Sequence, residues 1–114
     1  MQAESINEQI EQQLQMLESE DQEIKPYQIC NNLAKYTEQI IDCEDTTAFK
    51  SCLQRMSHLY KRCKPNAIRV AIENVFIYSI STKIMLCPNR RELLDLLPQS
   101  FKQIITGQMT AAGI

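Results

Sequence analysis

Glycine is almost missing from this chain, and its scarcity excludes whole classes of fold and site. The 114 residues include two glycines, Gly107 and Gly113, both near the C-terminus. All-β domains need turn glycines every few residues, so an all-β fold is excluded. Glycine-rich phosphate-binding loops are excluded for the same reason. Tryptophan is absent and His58 is the only histidine, so few of the residues used for catalysis are present.

The cysteines lack the spacing of a metal or redox site. Successive cysteines are at least nine positions apart, so no C-x-x-C pair exists among Cys30, Cys43, Cys52, Cys63 and Cys87. A zinc site needs clustered Cys and His ligands, and buried thiols otherwise serve as small apolar side chains. The N-terminus shows neither the basic start nor the apolar run of a secretory signal. We therefore expect free thiols, a cytoplasmic location and no metal or other cofactor.

Long uncharged apolar runs are missing as well. The most apolar stretch, residues 67–87, includes Arg69, Glu73 and Lys83. A membrane-spanning helix needs about twenty residues that are nearly free of charge. The stretch is therefore interpreted as a buried helix of a globular core, and no membrane is expected among the partners of this protein.

Helical periodicity is present along almost the whole length of the chain. Apolar residues recur at steps of three and four in each predicted segment, which is the pattern of a helix with one buried face. Prolines lie at the starts of several segments, where their missing N–H group has no cost. The predicted helices cover residues 4–18, 26–43, 47–64, 67–86, 90–97 and 98–109.

The segment 67–86 is expected to form the centre of the fold. Its apolar residues cover nearly the whole circumference of a helix, which is typical of the middle of a bundle. Residues 75–84 are rich in β-branched side chains and also resemble a strand, but no second strand-like run exists to pair with them. The predicted fold is therefore all-α: one domain over 1–114, a compact bundle of five or six helices around a buried central helix, with a frayed tail at 110–114.

Charge is divided unevenly along the chain. Residues 1–24 contain seven acids and neither Lys nor Arg, whereas the remaining residues contain seven acids and twelve bases. The simpler interpretation is that the acidic segment forms a helix that docks on the basic body of its own chain or of a second copy. Its apolar stripe is thin, so the docking is expected to be loose. The other interpretation is that the basic body binds an anionic partner.

The catalytic inventory is poor and favours a protein that is not an enzyme. His58 has no Asp or Glu one turn away to orient its ring, so we expect a surface residue rather than a general base. The neighbouring carboxylates Glu44 and Asp45 are expected to be exposed or to cap a helix. No catalytic residue is therefore assigned.

A basic corner is the most informative local feature. No acidic residue occurs between Asp45 and Glu73. The residues assigned to partner binding, which we call the basic corner, are Arg55, Lys61, Arg62, Lys64 and Arg69. Helix–turn–helix proteins have a similar distribution, with Lys and Arg contacting phosphates. The helix after Pro65 is too apolar to be an exposed recognition helix, and the pI of about 5.4 is far below that of a basic DNA-binding domain.

Two stretches of the sequence resemble a known family. They are Asn-Val-Phe-Ile-Tyr at residues 74–78 and Leu-Pro-Gln-Ser-Phe-Lys-Gln-Ile-Ile-Thr-Gly-Gln at residues 97–108. The pattern spans residues 53–109 and resembles an uncharacterised family of small helical bacterial proteins, known as a domain of unknown function. It is similar, to a lesser degree, to the small helical immunity-type proteins of bacterial toxin systems. The resemblance implies a bacterial, cytoplasmic, all-helical protein, and it supplies no active site.

These features predict a small non-enzymatic protein, immunity-like or regulator-like, that acts by binding another protein through the basic corner. Charged surfaces of this kind mainly steer and accelerate association. The expected partner is an acidic protein, or a second copy of the chain in a homodimer. Nucleic-acid binding through the helix–turn–helix corner at 50–69 is the alternative hypothesis.

Overall fold

The part of the chain that the structure, a computed structural model, describes is residues 3–18, 25–62 and 66–111. These residues form six helices and no strand. The helices are α1 (Ala3–Glu18), α2 (Pro26–Asp42), α3 (Thr46–Arg62), α4 (residues 66–85, with α-helical ends Asn66–Ala71 and Tyr78–Met85), α5 (Arg90–Asp95) and α6 (Gln99–Ala111). The all-α prediction is confirmed, and so is the helical interpretation of 75–84.

Local sequence fixes where α2 and α3 begin. Pro26 is in the first turn of α2, where its fixed φ suits a helix. Between the two helices, Glu44 adopts a left-handed backbone with φ of 58°. The Asp45 carboxylate then accepts a hydrogen bond of 3.0 Å from the backbone N–H of Ala48, which satisfies a donor that the helix itself leaves unpaired. The chain therefore turns within residues 43–45, and α3 packs against α2.

Helix α4 is the central rod predicted for residues 67–86, and one of its turns is widened. The turn Ile72–Ile77 is π-helical, with hydrogen bonds from residue i to residue i+5. Ile72 and Ile77 are five residues apart, and both are fully buried, as is Phe76 between them. This turn packs against α2, so the widened register places three large apolar side chains in the core of the bundle.

Side chains of α3 and α6 both form hydrogen bonds to Glu73 in the π turn. The side-chain amide of Gln108 on α6 donates a hydrogen bond of 2.8 Å to the backbone carbonyl of Glu73. The hydroxyl of Tyr60 on α3 donates to the Glu73 carboxylate. Because a π turn departs from the regular α-helical pairing of backbone groups, these two contacts fix its position from outside the helix.

Helix α1 contributes its apolar stripe to the common core. The four residues of the stripe are between 1% and 5% exposed: Ile6, Ile10, Leu14 and Leu17. They face α2 and α3, which are the neighbours of α1. Residues 19–24 of the acidic segment lie outside the described residues. So do residues 112–114 of the tail predicted to fray, whereas α6 extends to Ala111.

The hydrophobic core draws on all six helices. Buried apolar side chains come from α1 through α6, including Leu93 on α5 and Phe101 on α6. The radius of gyration is 13.4 Å, close to the value of about 13 Å expected for a globular chain of this length. The predicted compact bundle is therefore confirmed.

Candidate functional site

The basic corner predicted from the sequence does not form one cluster. Arg55, Lys61 and Arg62 lie on α3, and Arg69 lies on α4. Lys64 lies outside the described residues. The four described side chains differ in their partners, and these partners decide which of the cations remain available to another molecule.

Arg55 is occupied by the acidic helix α1. Its guanidinium forms ion pairs with the carboxylates of Glu11 and Glu18, and the distance to the Glu18 oxygen is 3.3 Å. Glu11 and Glu18 are seven residues apart, so they project from the same face of α1, about two turns apart. One member of the basic corner is therefore neutralised within the chain, by the acidic segment that sequence analysis expected to dock on the basic body.

Replacing Arg55 by methionine should lower the free energy of unfolding by less than about 1 kcal/mol, because partly exposed ion pairs contribute little in water. The side chains of Arg55 and Glu11 are 37% and 47% exposed. The loss should shrink as salt is added, since salt screens exposed charges. Urea denaturation at low and high salt measures both effects, with Lys50→Met as a control on the same helix. A loss above about 2 kcal/mol would contradict the assignment of these groups as a solvent-screened pair.

Arg69 is held on the opposite side of α3 by an aromatic ring. Its guanidinium carbon lies 4.8 Å from the centre of the Tyr60 ring, within the range of a cation–π contact. The Tyr60 ring also meets Phe101 edge to face, at a centroid distance of 6.2 Å. Partial burial, and then the hydrogen bond to the Glu73 carboxylate, raise the pKa of Tyr60. Arg69 therefore belongs to the junction of α3, α4 and α6.

Lys61 and Arg62 are exposed and belong to a longer row on α3. The row, which we call the α3 face, consists of five exposed side chains: Lys50, Gln54, His58, Lys61 and Arg62. Lys50, Gln54, His58 and Lys61 are separated by steps of four, four and three, which keeps them on one side of a helix. Arg62 adjoins them one turn after His58. A nitrogen of the Arg62 guanidinium lies 3.3 Å from Nε2 of His58. No acidic residue occurs anywhere in α3, so the face has a single sign of charge.

Lys50 and Gln54 were not among the residues assigned to the basic corner, although the region 50–69 of the nucleic-acid hypothesis includes both. The signal was available, because the outward positions of α3 follow from its buried positions. Phe49, Leu53 and Met56 are each at most 1% exposed, and residues roughly opposite to them must point outward. Grouping the cations by nearness in sequence instead joined Arg55, Lys61 and Arg69, whose directions differ.

Two grooves border the first half of the α3 face. One, of about 400 Å³, lies between α1 and α3, and its floor includes the buried side chains of Ile10, Leu14 and Cys52. The other, of about 450 Å³, lies between α3 and Leu96. Thr47 and Ser51 line both grooves. The charged face therefore adjoins concave surface that includes apolar groups, and a binding partner needs both kinds of surface.

The groups near these grooves are poorly suited to catalysis. Burial raises the pKa of the Cys52 thiol to about 11, despite a contact with the Thr37 hydroxyl. A thiol with that pKa is protonated at neutral pH and is a weak nucleophile. The Arg62 guanidinium beside Nε2 of His58 can only donate, so it occupies the ring lone pair that a general base would use. Within the described ranges, no group of three His, Cys, Asp or Glu side chains is arranged to hold a metal ion.

Comparison with known proteins places the chain in a family. Residues 3–111 match the family model described as Domain of unknown function (DUF7674). The chain belongs to this family. The match of the DUF7674 domain extends over all six helices, including α1, which lay outside the resemblance noted from the sequence. No curated protein matches the chain, and no solved structure matches it.

The helices of the DUF7674 domain are too short or too polar to span a bilayer, in so far as the structure describes them. Even α4, the most apolar, includes Arg69, Glu73 and Lys83.

Proposed function

We propose that this DUF7674 domain is a small non-enzymatic protein of the bacterial cytoplasm that binds an acidic protein, in the manner of an immunity protein or a regulator. The observation that supports the proposal best is the α3 face, which is exposed, basic and free of acidic residues along the whole of α3. Such a face attracts a partner of opposite charge and fixes its orientation.

The distribution of charge within the bundle supports a partner outside the chain. Arg55 is already paired with Glu11 and Glu18, and Arg69 lies over Tyr60. The cations of the α3 face have no acidic partner in the part of the chain that the structure describes. They therefore present their charge to solvent, where an incoming carboxylate can reach them.

The groove between α1 and α3 supports binding that goes beyond charge alone. Specific interfaces combine an apolar centre with a polar rim. Here the apolar floor at Ile10 and Leu14 lies beneath polar side chains of α1 and α3. An acidic partner with one apolar side chain to insert would contact the α3 face and this groove together.

The cellular setting in the proposal rests on the sequence and on the thiols. The resemblance to small helical bacterial proteins supports a bacterial origin and an immunity-like or regulator-like role. Cys52 lies inside the core and forms no disulfide, and buried cysteines that remain thiols are typical of a reducing compartment. These two observations support the cytoplasm of a bacterium as the place where the domain acts.

Reversing charge on the α3 face should weaken partner binding by at least about tenfold, because like charges at an interface repel. The test compares Lys50→Glu/Lys61→Glu with Lys25→Glu/Lys35→Glu, which reverses two exposed lysines near or on α2. Both variants change the net charge equally. A partner captured from the source cell by the unmodified domain is identified by mass spectrometry and titrated against all three proteins by calorimetry.

The captured partner should bind Lys25→Glu/Lys35→Glu with unchanged affinity and Lys50→Glu/Lys61→Glu at least about tenfold more weakly. Equal affinity for both variants would show that the α3 face is not the contact surface. A partner whose own contact surface is basic would contradict the expected chemistry.

Nucleic-acid binding is retained as a second candidate because of the polar residues on α3. Thr47, Ser51 and Gln54 are exposed beside the lysines, and hydroxyl and amide groups contact phosphates alongside Lys and Arg. Against it, α4 packs into the core, with Ile68 and Ile72 buried. If this candidate is right, the unmodified domain should slow the migration of duplex DNA in a gel at low salt, and this mobility shift should weaken steeply as salt is added. Lys50→Glu/Lys61→Glu should abolish the mobility shift.

A further inference from the structure

Helix α4 has one bare apolar side near its C-terminal end. Tyr78 is 59% exposed, Met85 is 36% exposed and Leu86, just past the helix, is 80% exposed. Tyr78 and Met85 are seven residues apart, which places them on the same side of the helix about two turns apart, and Leu86 follows Met85 directly. The sequence predicts a buried central helix over residues 67–86, so these three side chains are an uncovered part of it.

The polar groups among these side chains do not compete for the surface. The hydroxyls of Ser81 and Thr82 donate to the backbone carbonyl of Tyr78, at 2.8 and 3.1 Å, so their hydrogen bonds are made within the helix. The ammonium of Lys83 is bound to the Asp42 carboxylate on α2, at 2.6 Å. A partner can therefore cover Ser81 and Thr82 without leaving their hydroxyl donors unpaired.

The charges beside the bare side have both signs. Helix α5 follows after the turn 86–89 and packs against the last part of α4. It has four exposed charged side chains, two of each sign: Arg90, Arg91, Glu92 and Asp95. An acidic partner would meet the two carboxylates and a basic partner would meet the two guanidinium groups. A second copy in opposite orientation supplies both signs at once, so that arginines of each copy meet acids of the other.

We propose that Tyr78, Met85 and Leu86 form the contact of an isologous homodimer, in which the arginines of α5 face the acids of α5 of the second copy. In a two-fold interface, residue i of one protomer contacts residue j of the other, and j contacts i. Each pair of opposite charges is therefore made twice. The net charge of the chain is −2, so the two copies repel each other weakly. This inference is independent of the proposed function of the α3 face.

Reciprocal charge variants of the full chain test the arrangement by analytical ultracentrifugation. Arg90→Glu/Arg91→Glu makes all four positions acidic, and Glu92→Arg/Asp95→Arg makes them all basic. Each variant alone should dimerise at least about tenfold more weakly than the unmodified chain, because like charges then face each other. An equal mixture of the two variants should recover the dimer, since every contact across the two-fold axis is again between opposite charges.

Leu86→Glu tests the apolar contact, with Tyr27→Glu as its matched control. Both residues are exposed, at 80% and 54%, and Tyr27 is at the other end of α2 from Asp42, about 22 Å along the helix. The first variant should become monomeric while the second remains dimeric, with unchanged circular dichroism in both.

Three results would overturn the proposal. They are a monomeric unmodified chain at micromolar concentrations, a dimer that survives Leu86→Glu, and charge variants that fail to associate when mixed. A monomer that captures a different protein through Leu86 would also overturn it, because the occupant of this side would then be another molecule.

Discussion

Replacing Phe76 by alanine should lower the free energy of unfolding by about 3–5 kcal/mol, the usual loss when a buried aromatic side chain is removed. Phe76 is fully buried in the π turn of α4, which packs against α2. The surroundings are held on two sides by Gln108 and Tyr60, so they have little freedom to collapse into the cavity. Because the total free energy of unfolding of a small domain is only about 5–15 kcal/mol, the variant should be marginally folded.

Urea denaturation followed by circular dichroism measures this loss. Tyr27→Ala is the control, since it removes an aromatic ring that is 54% exposed, and surface substitutions usually change stability by less than about 0.5 kcal/mol. A loss below about 1 kcal/mol for Phe76→Ala would show that the π turn is not the rigid centre of the core.

Removing residues 1–24 should leave the rest of the chain unable to hold its native packing. The deletion takes away four side chains that are buried against α2 and α3: Ile6, Ile10, Leu14 and Leu17. At about 1.5–3 kcal/mol for each buried aliphatic side chain, the loss is about 6–12 kcal/mol. That range overlaps the whole stability of a domain of this size. The exposed ion pairs of Arg55 add little to it.

Thermal unfolding and the binding of a hydrophobic dye distinguish the outcomes. The truncated chain should bind the dye and lose its cooperative transition, as expected when tertiary packing is lost. The control is Glu8→Ala/Gln12→Ala, which changes two exposed positions of α1 and should leave the transition in place. An unchanged melting curve and elution volume after truncation would mean that α1 adds nothing to the core.

Helix positions followed from the sequence because periodicity records burial directly. The apolar residues Ile29, Leu33, Tyr36 and Ile40, at steps of four, three and four, predicted α2. Tyr36 is partly buried and the other three are buried. Periodicity also predicted that 67–86 is central. It did not reveal the π turn, because Ile72, Phe76 and Ile80 also fit steps of four and gave no sign of an extra residue. The five-residue step from Ile72 to Ile77 indicates the wider register only once both are known to be buried.

The basic corner was harder to predict because it depends on contacts between distant parts of the chain. Arg55 and Arg69 are fourteen residues apart in the sequence. Arg55 pairs with a carboxylate of α1, whereas Arg69 of α4 lies over the Tyr60 ring on another side of α3. The partners of Arg55 are 37 and 44 positions away in sequence, so no local pattern could name them. The general expectation that acidic and basic halves attract each other was available from charge alone, but the residues that meet were not.

The contact between Tyr60 and Glu73 gives the domain an optical signal of its own. The chain has four tyrosines and no tryptophan, so its near-ultraviolet absorbance is free of indole. Because burial and the neighbouring carboxylate raise the pKa of Tyr60, its phenolate appears late in an alkaline titration. If the junction between α3, the π turn and α6 loosens, the pKa of Tyr60 should fall and its phenolate should form at lower pH. A spectrophotometric titration without any label therefore monitors this part of the molecule.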